Sequence, residues 1–540
     1  MIQIEENLNI YFPMDLKPRR QQIEMLEMTK KSINGGKKFI LLNAPVGSGK
    51  SFYVSMMANF YRNYVNSNAK FDIITNSKIL QEQYKRDFDF INDLRGQSNY
   101  RCARHRTDCH TGKEMNKALK QGPCGICNYD NDRQKWVTGD ISLTNFHLYN
   151  SFAFYVSEIM DSREANVLIV DEAHLFEEVF CDFISIKLSA KILKNYGMED
   201  VMIERYDRKL NKINSVGQFI NFLNNDFIPY IVELRENFEL SIGDITETKI
   251  KEIYAKYVIY IESAEERFDR FLTDYVKNEN NWTLDITKDK NNNVELIMQP
   301  IWGNVYLNDI IFERYDHVIF MSGSILDKNM FSYINGFDEN LTDYYELDSV
   351  FPLKNRPIFY IKTGKMTYND KEETFKEQVK IIEKILKKYE NDKGIIHTTN
   401  YELSNWIQKS IKDKRLIFHE TNNREEQLDK FKSKKKNGVI VSPSMVSGIS
   451  LDDDLSRFQI IMKVPYPNIS SNKIKARQAS NRRWYAWRTI MDILQAYGRS
   501  VRSDTDWAHT FILDSSLGDL LKYNRELFPN YFIEAIKQLK

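Results

Sequence analysis

Short, unbroken apolar runs recur along the chain, separated by polar turns and by stretches of helical period. KFILLN, FDIIT, DISLT, NVLIVD and HVIFMS, and farther on GIIHTT, GVIVSPS and FQIIMKVP, have the length and composition of strands buried on both faces. FYVSMMANFYRNYV reads as an amphipathic helix, and IKEIYAKYVIYIESAEERFDRFLTDYV keeps a helical period for longer, ahead of the turn-rich KDKNNN and the strand-like VELIM. The pattern predicts an α/β protein with two parallel-sheet regions and a mainly helical segment inserted between their strands.

Chemistry enters at APVGSGKS, residues 44–51, which joins KKFILLN to FYVSMMANFYRNYV. Strand, Gly-rich loop and helix in that order form a P-loop. Gly47, Ser48 and Gly49 would turn backbone N–H groups onto phosphate, Lys50 would reach the β and γ phosphates, and the Ser51 hydroxyl would ligate magnesium. Ala44 stands where such loops usually begin with Gly. In VLIVDEAH, residues 167–174, Asp171 and Glu172 emerge at the C-terminal end of a predicted strand, where open α/β sheets hold their ligands. Asp171 would hold magnesium through water, and Glu172 would orient and deprotonate an attacking water. DILQAYGRSVRS spaces Gln495, Arg499 and Arg502 at i, i+4 and i+7, which predicts one helix face able to meet a charge-spread phosphoryl group.

The cysteines change the picture again. Of five, Cys102, Cys109, Cys124 and Cys127 fall close together and Cys181 stands apart as a small core residue. No run approaches a membrane span and the start has no signal-peptide pattern, so a soluble, intracellular chain is expected. In a reducing compartment four clustered thiols point to metal, and the spacing alone leaves zinc and an Fe–S cluster both open. With 540 residues, 28% of them charged, and a net charge of +1, no global basic field advertises a nucleic-acid partner. Any such partner must be held locally. The length suggests three or four domains.

In their order, KPRRQQIEM, NAPVGSGKS, TNSKILQEQ, RGQSNYRC, LTNFHLY, DEAH, MSGSIL, VFPLKNRPIFY, GIIHTTN, VSGIS and QAYGRSVR make the chain resemble the superfamily 2 DNA helicases with an iron-sulfur cluster, the XPD and DinG group. The resemblance covers almost the whole chain. It implies two RecA-like lobes, the first formed by residues 1–93, 136–181 and 306–339 and interrupted by an iron-sulfur domain at 94–135 and an arch domain at 182–305. The second lobe would span 340–540. It also implies an ATP-dependent helicase that translocates 5′ to 3′ on single-stranded DNA, with ATP, Mg²⁺ and a [4Fe-4S] cluster held by Cys102, Cys109, Cys124 and Cys127. Gln22 joins the nucleotide contacts on the same ground. The expected partners are single-stranded and forked DNA, with no membrane and a monomeric chain in the cytoplasm. Arg101, Arg104, Arg106, Lys113 and Lys117, interleaved with Tyr100, Tyr129 and Trp136, would form the strand path in the cysteine insertion.

Two departures matter. The family's Glu-Gly-hydrophobic-Asp is here Ser447, Gly448, Ile449 and Ser450, and MSGSIL carries Gly323 where Ala is common. The missing carboxylates keep a translocase without processive unwinding in view. A noncatalytic ATP-gated DNA-binding component is the alternative from another class.

Overall fold

The computed structural model describes residues 17–539 apart from 123, 126, 289–292, 435–436, 444–450, 452 and 502–504. Ser447, Gly448, Ile449, Ser450 and Arg502 therefore lie outside the described residues.

Strands appear where the apolar runs predicted them. The first sheet collects β1 (Phe39–Asn43), β2 (Phe71–Thr75), β3 (Asn92–Asp93), β4 (Ile141–Asn145) and β5 (Val167–Asp171). An insertion then contributes β6 (Ile186–Ser189), β7 (Trp282–Lys288) and β8 (Val294–Pro300), after which β9 (His317–Ser322) and β10 (Thr342–Glu346) return to the first sheet. Its order is β10-β1-β9-β5-β2-β4-β3, all parallel. Every residue of β1, β2 and β5 is buried, as expected of strands covered by helices on both faces.

The second sheet uses β11 (Ile358–Ile361), β12 (Gly394–His397), β13 (Leu416–Phe418), β14 (Val439–Ser442), β15 (Phe458–Ile461), β16 (His509–Ile512) and β17 (Ile536–Leu539). They are parallel in the order β13-β14-β12-β15-β16-β11-β17. The molecule thus has two RecA-like lobes, the first interrupted by a cysteine-bearing insertion and by a larger, mainly helical one. The expected boundary at 339 shifts, because β10 pairs with β1 in the first sheet and carries lobe 1 to Glu346.

The cysteine insertion leaves lobe 1 after β3 and returns to β4 through helices Cys109–Ala118 and Asn128–Thr138. The larger insertion pairs helices Ile228–Asp244 and Thr248–Asn278, held by Arg235 donating to Glu265 at 3.0 Å. It also carries an antiparallel sheet, β6-β8-β7, of which only VELIM was foreseen. The insertions touch: Lys117 lies 2.5 Å from Glu262, and Met115 packs with Ile242, Ala255 and Val258.

Beneath the first sheet a buried network ties the returning helix to the strands. Arg163, fully buried, donates to Asp72 at 2.9 Å and to the Phe71 and Gly139 carbonyls, with its guanidinium 5.7 Å from the Trp136 ring centroid. Tyr315 donates to the other Asp72 oxygen at 2.6 Å. Arg163→Ala leaves that carboxylate buried without its cation, so denaturant unfolding should register a loss of about 3–5 kcal/mol. A loss below about 1 kcal/mol, the range of exposed pairs, would show that the network relaxes without it.

Candidate functional site

The P-loop grows out of β1. After Asn43 the chain turns through Ala44, and the next helix begins at Lys50. Gly47 and Gly49 have φ of 86° and 80°, left-handed values that a Cβ resists, so successive amides can turn to one side. Ala44 is buried with ordinary φ, and its N–H donates to Ser322 at 2.7 Å; the usual Gly is not required there. Lys50 Nζ donates to the Ala44 carbonyl at 3.0 Å. The helix Arg20–Asn34 grips the loop from outside, with Gln22 donating to the Gly49 carbonyl at 3.3 Å and Arg19 donating to the Gly47 carbonyl at 3.2 Å. Arg19, Gln22, Lys50, Ser51, Asp171 and Glu172 line one cleft of about 370 Å³.

At the end of β5, Asp171 accepts from Tyr84 OH at 3.0 Å and from the Glu172 N–H at 2.9 Å. Burial and the neighbouring Glu172 raise the Asp171 carboxyl to about 6, against the pull of Lys50. Such a carboxyl gains most from a cation beside it. Glu172 holds φ of 54°, a strained value for a residue with a Cβ. His174 Nδ1 stands 3.4 Å from Glu172 and 2.8 Å from Ser322 Oγ, and burial lowers the imidazole to about 4, so it is neutral.

From Ser322 the contacts cross to lobe 2. Ser322 Oγ accepts from the Ser324 N–H at 3.2 Å, Ser324 Oγ accepts from Gln495 Nε2 at 2.7 Å, and Gln495 Oε1 accepts from Arg499 at 3.3 Å. Lys50, Glu172, Gly323, Gln495 and Arg499 line a second cleft between the lobes. A Cβ at Gly323 would stand 3.4 Å from Pro45, ordinary contact, so Gly leaves slight extra room where Ala is common.

The predicted face of Gln495, Arg499 and Arg502 needs correction. The helix Arg482–Tyr497 stops at Gly498, whose N–H folds back to Leu494 at 2.9 Å, and Arg499 belongs to the turn beyond it. Gln495 and Arg499 still meet, across the helix end.

The four clustered cysteines gather on one side of helix Cys109–Ala118. Cys109 opens the helix, with Cys127 Sγ 3.7 Å away; Gly112 lies one turn on, and a Cβ there would stand 2.5 Å from Cys102 Sγ; Asn116, another turn on, donates to Cys124 Sγ at 3.1 Å. Burial and Cys127 push the Cys109 thiol up to about 12. A helix face kept clear by Gly112 and ringed by four thiols fits a four-thiolate metal group. Cys181 is a core residue, fully buried beside Glu177.

The expected strand path in this insertion is altered. Trp136 and Tyr129 are buried and offer no open ring, Lys113 pairs with Asp130 at 2.8 Å, and Lys117 is taken by Glu262. Arg104 is spent in part on Asn116 and the Gly122 carbonyl. Alternating basic and aromatic letters do not distinguish a groove from a packed helix.

Sequence reading also missed Tyr84, Arg19 and Phe351. Phe351 occurs in VFPLKNRPIFY, a segment quoted for its order alone, yet its ring lies against Gly47, where a Cβ would be 2.3 Å from Cζ. Gly47→Ala therefore meets both a clash and a left-handed φ. Calorimetric titration with nucleotide should show affinity reduced at least about tenfold, while the backbone strain costs folding only about 1–2 kcal/mol. Unchanged affinity would mean that the loop reshapes freely.

Comparison with known proteins bears on both lobes. Residues 375–534 match the helicase C-terminal domain, and residues 15–197 match the type III restriction enzyme res subunit. An apo XPD structure is 15% identical with a TM-score of 0.63, covering 96% of this chain and all of that one. An XPD helicase structure is 14% identical with a TM-score of 0.65, and the S. tokodaii Xpd4 structure is 15% identical with a TM-score of 0.58; each covers 97% of this chain and all of its own. The second lobe thus carries a helicase C-terminal domain match, and the chain as a whole shares the fold of the XPD structures.

Proposed function

We propose that the protein is an ATP-dependent DNA helicase that moves 5′ to 3′ along single-stranded DNA and separates duplex ahead of it. The observation that carries this reading is the side-chain line from Glu172 through His174, Ser322 and Ser324 to Gln495 and Arg499, which joins the two lobes across the P-loop. Hydrolysis at one end of such a line alters the contact between lobes at the other.

Lys50 would exchange the Ala44 carbonyl for the β and γ phosphates. Ser51 and Asp171 would hold Mg²⁺, which neutralises phosphate charge when bound. Glu172 would take the proton of the attacking water as the γ-phosphoryl group passes to that water's oxygen. Arg499, with Arg502, would face the departing charge from lobe 2, and its loss would let the lobes reopen. The DEAH carboxylates and the P-loop thereby share one nucleotide.

Glu172→Gln should keep nucleotide affinity and lose DNA-stimulated phosphate release by a factor of order 10² or more, whereas Lys50→Ala should lose nucleotide-dependent activity altogether. In strand displacement a 5′-tailed duplex should open and a 3′-tailed one should not. Normal hydrolysis by Glu172→Gln would remove the base assignment, and reversed tail preference the polarity. Ser447 and Ser450, in place of the family's carboxylates, favour a second reading: a translocase that displaces bound proteins without processive unwinding. Forked-duplex opening set against protein displacement separates the two.

Cys102, Cys109, Cys124 and Cys127 would hold one [4Fe-4S] cluster, whose iron–thiolate bonds cross-link a small insertion with little core of its own. Oxygen-protected protein should contain about four iron and four sulfide per chain. Cys124→Ser should lower iron content and strand separation together while nucleotide binding persists. One zinc per chain without sulfide would replace the cluster in this account.

A further inference from the structure

Beside the four thiols stands a side chain that the nucleotide chemistry does not use. Asn116 lies on the helix Cys109–Ala118, two turns beyond Cys109, and is 6% exposed. Its Oδ1 meets Arg104 Nη1 at 2.9 Å and His105 Nε2 at 2.8 Å, while its Nδ2 lies 3.1 Å from Cys124 Sγ. A guanidinium can only donate, so the oxygen must be the atom that faces Arg104 and the amide nitrogen the one that faces sulfur. His105 Nε2 then carries its proton and donates to the same oxygen. The opposite flip would set donor against donor and turn an acceptor toward Cys124.

Arg104 Nη1 also donates to the Gly122 carbonyl at 2.8 Å, two residues before Cys124. One guanidinium therefore ties the segment after Cys102, the helix amide and the approach to Cys124 together. A thiol accepts a hydrogen bond weakly, whereas an anionic acceptor receives one roughly twice as strong. The oriented amide is thus matched to Cys124 in its thiolate form, the form that binds metal.

We propose that Asn116 is a positioning residue for the metal group: its amide, held by Arg104 and His105, donates to the Cys124 thiolate, fixes that ligand and raises the reduction potential of the cluster. The inference rests on the reading that the four cysteines hold an Fe–S cluster. Reduction adds a negative charge to a group whose four ligands are already anionic, and a donor to one of the sulfurs favours the more negative form. Removing the donor lowers the potential. Loosening the insertion has the opposite sign, because water reaching the sulfurs also favours the more negative form. The direction of the shift therefore separates a hydrogen bond from packing.

Oxygen-protected, full-length protein would be taken through a redox titration with the reduced cluster followed by electron paramagnetic resonance, and its iron loss to a chelator would be timed. Asn116→Leu, close in size and without a donor, should lower the ratio of reduced to oxidised cluster at a fixed potential about tenfold, a fall of about 59 mV for one electron. It should also speed iron loss about ten- to a hundredfold. Asn116→Thr is smaller and can still accept from Arg104; it should move the potential the same way, and it decides the matter where Asn116→Leu holds no iron. An unmoved or raised potential in the variant that keeps iron would overturn the proposal. Iron lost from both variants would make Asn116 a residue of the insertion's folding and overturn it as well. A parent without iron and sulfide would remove the cluster reading and this inference with it, whereas a parent with both, and variants at its own potential, would remove the inference alone.

Discussion

Arg477 leaves lobe 2 and is buried against lobe 1, and the relative placement of everything else follows from that contact. Its guanidinium meets Glu177 at 2.6 Å, donates to the Ile301 carbonyl at 2.5 Å, and lies 4.6 Å and 5.3 Å from the Trp302 and Trp484 ring centroids. Glu177 in turn accepts from the Gly303 N–H at 2.8 Å. Lobe 1, the end of the larger insertion and lobe 2 thus share one buried charge pair. Such a pair adds little net stability over an apolar substitute, but it tolerates few alternative geometries, so its value lies in fixing register between bodies. With that corner fixed, the helix Arg482–Tyr497 runs back toward the P-loop and delivers Gln495 to Ser324.

The contacts between the lobes are therefore unlike at Arg477 and at the P-loop, with Trp487 donating to the Ile325 carbonyl and Arg483 facing Asp327 between them. Near Arg477 the contact is buried, aromatic and charged. At the P-loop it is made of small polar groups, Ser322, Ser324 and Gln495, linked by hydrogen bonds. On the proposed reading, a joint stiff at one end and polar at the other would let a change at Glu172 turn one lobe about the other. The left-handed backbone of Glu172 fits this arrangement, since strain of that kind persists only where surrounding contacts hold it.

Much of this was legible in the chain because parallel sheets buried on both faces write themselves as continuous apolar runs; β1, β5 and β9 could hardly be read otherwise. The P-loop and the acids after β5 were legible for a related reason: the chemistry needs fixed residue types at fixed offsets from a strand end. What failed was whatever depended on partners distant in sequence. β10 carries polar Thr342, Asp343 and Glu346 and shows its lobe only through its pairing with β1. The helix before Arg499 looked continuous because Gly498 does not by itself forbid another turn. Trp136 and Tyr129 resembled open stacking rings, and only the fold reveals that Arg163 and Lys113 already face them.

Charge pairing limits where a polyanion could be held. A chain with net charge +1 can attract a polyanion only where its cations are not already neutralised, and here many near the insertions are. Lys113, Lys117, Arg235, Arg477 and Arg488 each face a carboxylate within 3 Å. Of these, Lys113 and Lys117 were expected on a strand path, but in space all five fasten helices, insertions or lobes to one another. On the proposed reading, phosphate would be met by the backbone amides of the P-loop and by Arg499, which do not depend on a basic track. If the chain binds nucleotide and strand as proposed, a net charge of +1 requires that it hold them by the position of a few groups rather than by a general field.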